Sequence, residues 1–348
     1  MWLRSYASQG RDFSEKSLHS LSVDIKNTLY RVCASDPDFD NKTGGANLRT
    51  ARLITYQREA ETPVNYHETN ERITTSWLKR LKDFSYDAKP DILDLFEHLE
   101  VLTDDEKNVS SSVVRSEQVG NWLKAGGSRV LNIEPETPTE SLTNPISFSS
   151  ALVVTTLRLP ARYPVLAFFC MHRNNDDCSD EKSGPIALVK SLNAQLLTFV
   201  VEYRPEVDLS KVTDWEFFRK ATKKSLKDSL QMLEALIRLL PEDDKVFIVI
   251  DSLSRLSGST KNEDKVMKRL GRFVKTEQGP VVKILITATL GDSRARKIAH
   301  ESLFVQDSAS GFGAINVDVM EDEILKSVDT QRKTDQSGSG DSSDADSD

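Results

Sequence analysis

The sequence predicts an α/β protein built on a parallel sheet, and two observations lead to that prediction. Short apolar runs typical of strands buried on both faces recur along the chain. Segments with helical spacing of apolar residues separate these runs, and strands that alternate with helices form parallel sheets. The clearest run, Val246 to Ile250, ends abruptly in Asp251. Because open α/β sheets bind ligands at the carboxyl ends of their strands, we expect a crevice beside Asp251.

Five segments have the length and composition of strands. They are Val130 to Ile133, Pro164 to Cys170, the run that ends at Asp251, Val281 to Thr287, and Ala314 to Val319. Between them, apolar residues at helical spacing predict helices. These helices cover Phe148 to Leu159, Ile186 to Val200, Leu226 to Leu240 and Val266 to Phe273. The segment from Glu134 to Ser147 is predicted to be an irregular connection because it is rich in prolines and hydroxyl side chains.

The amino-terminal third reads as mainly helical. Helical spacing marks residues 14–32, Ile73 to Phe84, Ile92 to Leu99 after Pro90, and Val119 to Leu123. We therefore divide the chain into a helical region at 1–112 and a sheet domain at 113–328. Residues 329–348 hold six Asp, two cations and almost no apolar side chains, which predicts a disordered acidic tail.

Composition narrows the classes of function. The chain has 348 residues and a formal net charge of −8, and it lacks a broad run of basic residues, so we do not expect it to bind nucleic acid. No apolar run is long enough to cross a bilayer, so no membrane partner is expected. Cys33, Cys170 and Cys178 are odd in number and have no Cys-x-x-Cys spacing, which favours a reducing compartment. The cytosol is the expected location, with the nucleus as the alternative.

Three stretches, in this order and spacing, resemble a known family. They are GPIALVKSLNAQLLTFV from Gly184, KVFIVIDSLSRL from Lys245 and KILITATL from Lys283. Together they make residues 119–320 similar to the NACHT-type, signal-transducing P-loop NTPase (STAND) domain common in fungal NOD-like-receptor proteins. The resemblance implies a RecA-type (ASCE) parallel sheet. It further implies that the strand ending at Asp251 is the Walker B strand and that Thr287 and Thr289 stand near a polar sensor position.

The resemblance also implies a glycine-rich phosphate loop after the first strand, and that loop is absent from the sequence. From Val130 to Leu157 there is no Gly, Lys or Arg, whereas Glu134, Glu136 and Glu140 are present. A backbone without glycine does not easily form a phosphate-binding nest. Like charges about 4 Å apart also repel by about 1 to 4 kcal/mol near a protein surface, so three carboxylates would repel a triphosphate.

The Walker B segment predicts the same loss. In the family an acidic pair follows the strand and polarises the attacking water, but Ser254 and Arg255 stand at those positions here. Asp251 is retained, and we expect no phosphate-loop hydroxyl opposite it to complete a magnesium site. We therefore favour hydrogen bonding of Asp251 to the following loop over a retained metal role. The sensor-position threonines are expected at the surface or in a turn.

Other candidate sites carry weaker signals. Cys170, His172 and Cys178 do not have the spacing of a common zinc site, so we expect no metal there. A solvated helix start explains Arg294, Arg296 and Lys297 better than a phosphate or acidic partner does. The glycine-rich residues 308–315 lack the neighbouring strand and helix of a dinucleotide loop.

The sequence thus predicts an NTPase-like fold that has lost its chemistry. The favoured function is a catalytically inactive protein-interaction or scaffold module without a cofactor, whose partners are other proteins, including further copies of itself. The alternative is a nucleotide-binding signalling switch that uses an atypical phosphate loop to bind ATP or GTP with Mg²⁺, for which Asp251 is the candidate cofactor residue.

Overall fold

The computed structural model describes residues 65–326 apart from 82–83, 99–100, 160–162, 174–182, 214–215, 224, 277–278, 308–319 and 322–323. The described residues belong to one compact unit that begins at Asn65. Its centre is a five-stranded, all-parallel sheet surrounded by helices. The predicted fold class, a parallel α/β domain of the P-loop NTPase-like type, is confirmed.

The strands lie in the spatial order β2-β3-β4-β1-β5. Their bounds are β1 Arg129–Pro135, β2 Val165–Phe169, β3 Lys245–Asp251, β4 Val281–Thr287 and β5 Glu301–Val305.

The strand register places the carboxyl ends of the strands side by side. Ile133 near the end of β1 pairs with Thr287 at the end of β4, and Phe169 at the end of β2 pairs with Asp251 at the end of β3. Because all pairs are parallel, the carboxyl ends of these four strands lie at one edge of the sheet.

The helices of eight or more residues are α1 His67–Lys79, α2 Lys89–Glu97, α3 Asp104–Val114, α4 Glu117–Lys124, α5 Pro145–Arg158, α7 Pro185–Tyr203, α10 Leu226–Leu239 and α11 Thr260–Phe273. Shorter helices are α6 Cys170–Arg173, α8 Ser210–Thr213, α9 Glu216–Lys220 and α12 Ser293–Ile298.

The interior strand β3 shows why the apolar runs are continuous. Val246 and Ile248 belong to a core that α7, α10 and α11 share on one face of the sheet. Phe247 and Val249 belong to a second core on the other face, where Trp122 of α4 contacts Phe247 edge to face at 5.9 Å between ring centroids. Since successive side chains of a strand point to opposite faces, both sets must be apolar.

The described amino-terminal helices pack on the sheet domain through buried polar contacts. In α1, the Asn70 side chain donates to the Val207 carbonyl at 2.6 Å and accepts from the Leu209 amide at 3.1 Å. Trp77 Nε1 donates to the Phe218 carbonyl at 3.2 Å. The helix is therefore held by matched donors and acceptors as well as by apolar burial.

A buried arginine ties the start of α2 to the end of β2. Arg173 Nε donates to Asp91 at 2.9 Å, and the same guanidinium donates to the carbonyls of Ser85 and Asp87. The guanidinium also lies over the Phe168 ring, 5.4 Å from its centroid. Such a planar fork is suited to several acceptors at once.

Two features of the sheet domain differ from the predictions. The sequence places the fifth strand at 314–319, which lies outside the described residues, whereas the fifth strand of the sheet is β5. That strand escapes prediction because Glu301 to Val305 lies at a sheet edge, half exposed, without a continuous apolar run. Helix α3 is not predicted either, although Thr103 and Glu106 form a capping box at its start.

Several other predictions concern residues that the structure does not describe. The helix at 14–32 and the acidic tail at 329–348 lie there, as do Cys33, Cys178 and the glycine-rich 308–315. The division of the chain at residues 112 and 328 stays a prediction, and the first of these positions falls within α3.

Candidate functional site

Asp251, at the carboxyl end of β3, is fully buried and is held by three hydroxyl groups. Ser147 Oγ donates to Asp251 Oδ2 at 2.7 Å, and Ser252 Oγ donates to the same oxygen at 3.0 Å. Thr287 Oγ1, at the end of β4, donates to Asp251 Oδ1 at 2.8 Å and accepts from the Ser252 amide at the same distance. Three of the roughly four acceptor sites of the carboxylate are therefore filled by the chain itself.

The position of Ser147 follows from the way α5 begins. Asn144 is the N-cap, and its Oδ1 accepts from the Ser147 amide at 2.9 Å. Pro145 occupies the first turn, where its missing N–H has no helical partner to lose. Ser147 thus lies in the first turn of the helix that follows β1, facing Asp251.

This hydroxyl corrects the expectation that nothing stands opposite Asp251. The missing Gly-Lys-Ser/Thr motif predicts no phosphate-loop hydroxyl, yet Ser147 in the first turn of α5 donates to Asp251. The sequence does contain a signal for this position, the run Asn-Pro-Ile-Ser at 144–147. A cap residue followed by Pro marks the start of a helix, which places Ser147 in the first turn.

Ser252 makes the turn after Asp251 unusual. Its φ of 53° places a non-glycine residue in the left-handed region, which costs of order 1 kcal/mol. The conformation lets both the amide and the hydroxyl of Ser252 join the network around Asp251. The predicted role of Asp251, hydrogen bonding to the loop that follows it, agrees with this geometry.

The connector between β1 and α5, residues 136–143, directs its amides to oxygens of the same chain. The Glu136 amide donates to the Val305 carbonyl at 2.7 Å, and the Thr139 amide donates to the Thr289 carbonyl at 3.0 Å. The Ser141 amide donates to Thr139 Oγ1 at 3.3 Å. A phosphate-binding nest needs consecutive amides to converge on an outside anion, whereas the amides of Glu136, Thr139 and Ser141 are committed to the chain itself.

Glu134, buried near the end of β1, forms an ion pair with the exposed Arg296 of α12. Arg296 Nε donates to the two carboxylate oxygens at 2.9 and 3.1 Å, and Asn132 Nδ2 donates to one of them at 2.7 Å. Burial disfavours the charged carboxylate, but the hydrogen bonds from Arg296 and Asn132 outweigh it and lower the pKa of Glu134. The same pairing raises the pKa of Arg296.

Gly291 permits this pair to form. Its φ is +74°, and a Cβ atom there would lie 3.3 Å from the guanidinium of Arg296 and 3.4 Å from the carboxylate of Glu134. Both the backbone conformation and the close approach therefore favour glycine.

The charges of the connector are more balanced than the sequence suggests. Glu134 is neutralised by Arg296, and Arg255 Nη2 lies 3.5 Å from the exposed carboxylate of Glu140. The three glutamates therefore repel an approaching anion less than three unpaired carboxylates would. Ser254, at the expected position of a catalytic acid, accepts a hydrogen bond from the Leu290 amide at 3.1 Å.

The arginines after β4 are not simply solvated. Arg294 of α12 pairs with Glu263 and Asp292, and both carboxylates are buried. With Arg296 on Glu134, two of the three cations of this helix bind acids of the same domain, while Lys297 is exposed. The expected helix start is present, but the expectation of purely solvated cations is wrong for these two arginines.

The sensor-position threonines are also buried rather than at the surface. Thr287 belongs to the Asp251 network. Thr289 is fully buried, and its hydroxyl has no hydrogen-bond partner among the described residues. The prediction of a surface or turn residue is therefore wrong for Thr287, which ends β4, whereas Thr289 does lie in a turn, although a buried one.

A surface cavity of about 430 Å³ opens beside the Glu134–Arg296 pair. Phe304 of β5 forms part of its wall; this residue is 58% exposed and lies 5.8 Å from the guanidinium of Arg296. The other lining residues are Pro135, Glu136, Pro138, Leu290, Gly291 and Gln306. The cavity is thus a mixed apolar and charged surface at the carboxyl edge of the sheet.

Two remaining candidates, Cys170 and His172, belong to α6 directly after β2. Cys170 is buried, and burial together with the nearby Asp251 raises the pKa of its thiol well above the ordinary value. His172 Nδ1 lies 3.2 Å from Asp94. Across the part of the chain that the structure describes, no group of three or more His, Cys, Asp or Glu side chains could hold a metal ion. Nor is any described helix long and apolar enough to cross a membrane.

The fold and this site define a P-loop NTPase-like α/β domain. In sequence, residues 147–289 match the model of the family described as Nephrocystin 3, N-terminal, which is a NACHT-associated, NTPase-like family. The match begins at Ser147 and ends at Thr289, so it covers less than half of the chain but includes the whole Asp251 network. No curated protein matches the chain.

Proposed function

We propose that the chain is a catalytically inactive, NTPase-like protein-interaction or scaffold module. The observation that carries the proposal is the connector: three of its amides donate to carbonyl and hydroxyl oxygens of the chain, and Arg296 binds Glu134 instead of an outside anion. Ser254 and Arg255 replace the acids that would activate water, and both contact the domain itself. These residues do not fit a bound triphosphate, so no hydrolytic step is derived from them.

A second candidate function is a nucleotide-binding signalling switch, with ATP or GTP and Mg²⁺ as its ligand. It is favoured by the contact between Ser147 and Asp251, a hydroxyl and a carboxylate that could both serve a metal ion. In this candidate the ion would have to separate the two groups, and Thr287 and Ser252 would keep Asp251 in place.

Isothermal titration of the full chain with Mg-ATP and Mg-GTP separates the two candidates. The scaffold proposal expects no binding heat up to millimolar nucleotide, and any self-association of the chain is then independent of nucleotide. Micromolar binding that disappears in the Asp251→Ala variant would refute the scaffold proposal and support the switch. Thermal unfolding of the Asp251→Ala variant without nucleotide shows whether a loss of nucleotide binding comes from misfolding alone.

We also propose an evolutionary origin, a class of partners and a cellular location for the chain. The match at 147–289 supports descent from a STAND-type domain of the fungal NOD-like-receptor kind. The partners are other proteins, including further copies of this chain, and the site of action is the cytosol. A partner that binds in the cavity beside Phe304 would contact Arg296 there and compete with Glu134 for its guanidinium.

A further inference from the structure

The outer face of α11 carries a line of cations. Its members recur at intervals of four and three residues, which places them one above the other on a single side of the helix. All five are exposed, and the line, whose last member directly follows the helix, is about 20 Å long. We call these residues the basic stripe: Lys261, Lys265, Lys268, Arg272 and Lys275.

The cations of the stripe are not paired with acids of the domain. Among the residues that the structure describes, none of the five has an ion-pair partner. Lys265 donates to a neutral group, the side-chain oxygen of Asn262, at 3.3 Å. Lys297 of α12, the helix that packs beside α11, is a further exposed cation next to this face.

The neighbouring acids leave most of the stripe uncompensated. Glu263 of α11 is buried and binds Arg294, and Glu234 of α10 binds Arg269. Asp264 is the exposed acid of α11, against four cations of the stripe on the same helix. The exposed acids at the end of α7 and in the turn after α10 lie at the amino edge of the sheet, where the stripe ends; they are Glu202, Glu242 and Asp243.

The stripe fits a narrow polyanion better than a broad one. It is one residue wide in a chain whose net charge is −8, whereas duplex nucleic acid and an anionic bilayer present negative charge over a wide surface. On α11, all of which the structure describes, no large apolar or aromatic side chain is exposed that could stack on a base or enter a bilayer. An extended acidic peptide has the shape and the charge that the stripe requires.

A peptide of this kind is present in the chain itself. Residues 341–348, which lie outside the described part, read DSSDADSD and hold four Asp and no cation. When extended, this run is about 23 Å long, which matches the length of the stripe. We call residues 341–348 the acidic segment. Phosphorylation of Ser342 and Ser343 within it would add further negative charge.

The acidic segment of a second copy reaches the stripe more readily than the segment of the same copy. Ile324, close to the last described residue, belongs to the second core, whereas α11 packs on the opposite face of the sheet. The linker, residues 327–340, spans about 20 Å on average and about 46 Å when fully extended, and a domain of this size is about 45 Å across. A linker near full extension gives a very low effective concentration, which disfavours binding within one copy.

We propose that the basic stripe of one copy binds the acidic segment of a second copy. Two copies that exchange their segments form a closed pair with two such contacts, so that individually weak ion pairs act together. The contact does not involve the Asp251 site, so its failure would leave both candidate functions standing.

Carbodiimide cross-linking of an equal mixture of isotopically heavy and light full chains tests the proposal, because this reagent joins a carboxylate to a lysine amine that it touches. We expect cross-links from the acidic segment of one isotope to Lys261, Lys265 and Lys268 of the other, and they should fade in about 0.5 M salt as screening increases. Combining Lys265→Glu with Lys268→Glu should lower the yield at Lys261 about fivefold through lost attraction. Combining Lys211→Glu with Lys223→Glu, an equal charge change at exposed residues outside the stripe, is the matched control and should leave the yield unchanged.

A second measurement leaves the described domain unchanged. All four aspartates of the acidic segment are replaced by Asn, and sedimentation equilibrium compares the average mass of this variant with that of the unaltered chain. The unaltered chain should exceed the mass of one copy at low salt, and the variant should not. Conversely, combining Ser342→Asp with Ser343→Asp should raise the cross-link yield at Lys261 about threefold, because it adds two negative charges to the segment.

Four results would each overturn the proposal. They are cross-links that never join a heavy chain to a light one, cross-links spread evenly over the exposed lysines, equal masses of the unaltered chain and the Asn variant, and an unchanged yield in the Ser-to-Asp variant. If duplex DNA or anionic vesicles, but not the acidic segment, protect Lys261 and Lys268 from acetylation, the stripe serves a different polyanion and the proposal is likewise wrong.

Discussion

Lys283 is the least ordinary residue of the sheet, and replacing it with Met is expected to stabilise the protein at neutral pH. The side chain is fully buried in the central strand β4 and donates to the Ala125 carbonyl at the end of α4. Burial, reinforced by Lys245 and Arg129, lowers its pKa to about 7. The Lys283→Met variant keeps the length of the side chain and removes the charge.

The size of the effect follows from the difference between the folded and unfolded pKa values. The unfolded lysine titrates near 10.4, so between about pH 7 and pH 10 the unfolded state binds more protons than the folded state, and stability rises with pH. The unfavourable contribution of Lys283 is then about 4 kcal/mol at pH 7 and about 1 kcal/mol at pH 10. Losing the hydrogen bond to Ala125 costs the variant about 1 to 2 kcal/mol at either pH.

We therefore expect Lys283→Met to be more stable than the unaltered chain by about 2 to 3 kcal/mol at pH 7, and to lose this advantage by pH 10. Urea unfolding at a series of pH values measures it, with the buried Trp77 and Trp122 as fluorescent reporters. The exposed Lys211→Met should differ from the unaltered chain by less than about 0.5 kcal/mol at every pH. A stability difference for Lys283→Met that is flat with pH would refute the reasoning.

Three further predictions concern the ion pairs. Gly291→Ala should destabilise the domain by about 1 to 2 kcal/mol in urea unfolding, because its φ of +74° strains an L residue and the added Cβ would press on the Glu134–Arg296 pair. The stability lost in Glu134→Gln should shrink as the pH falls from about 5 to about 3, because a carboxylate with a lowered pKa stabilises the fold only while it is ionised; an unchanged loss at pH 3 would exclude a charge effect. Arg173→Met should lower the free energy of unfolding by about 3 to 5 kcal/mol, since it leaves the buried Asp91 without its cation. A loss below about 1 kcal/mol in urea unfolding would contradict that role.

The interior strands of the sheet could be predicted from the sequence because burial on both faces requires a continuous run of apolar residues. Strand β4 was predicted with its observed bounds, Val281–Thr287, and β3 from its apolar run. Their helices were predicted from spacing for the same reason, since each must cover a face of the sheet. In contrast, β5 lies at an edge with one face half exposed, so Glu301 to Val305 carries no continuous apolar signal.

The site was only partly predictable because its contacts join residues far apart in the chain. Sequence reasoning singled out Asp251 and the acidic connector, but it treated Glu134 as a free charge. Its partner Arg296 lies 162 residues further on, and only the register of β1 beside β4 brings the two together. Ser147 was missed because a motif search requires neighbouring residues, whereas the function of its hydroxyl depends on where α5 begins.

The hydrogen bonds around Asp251 can be kept in the absence of a nucleotide, because breaking them would leave buried polar groups unpaired. Replacing Asp251 with an apolar residue would leave the hydroxyls of Ser147, Ser252 and Thr287 buried without their shared acceptor, at about 1 to 3 kcal/mol for each group that finds no other partner. A glycine-rich connector, by contrast, lies at the surface and can be exchanged for a self-bonded one such as residues 136–143 without leaving buried groups unpaired. A domain that loses phosphate binding would therefore lose its loop first and keep the buried aspartate, which is the course that we propose for this chain.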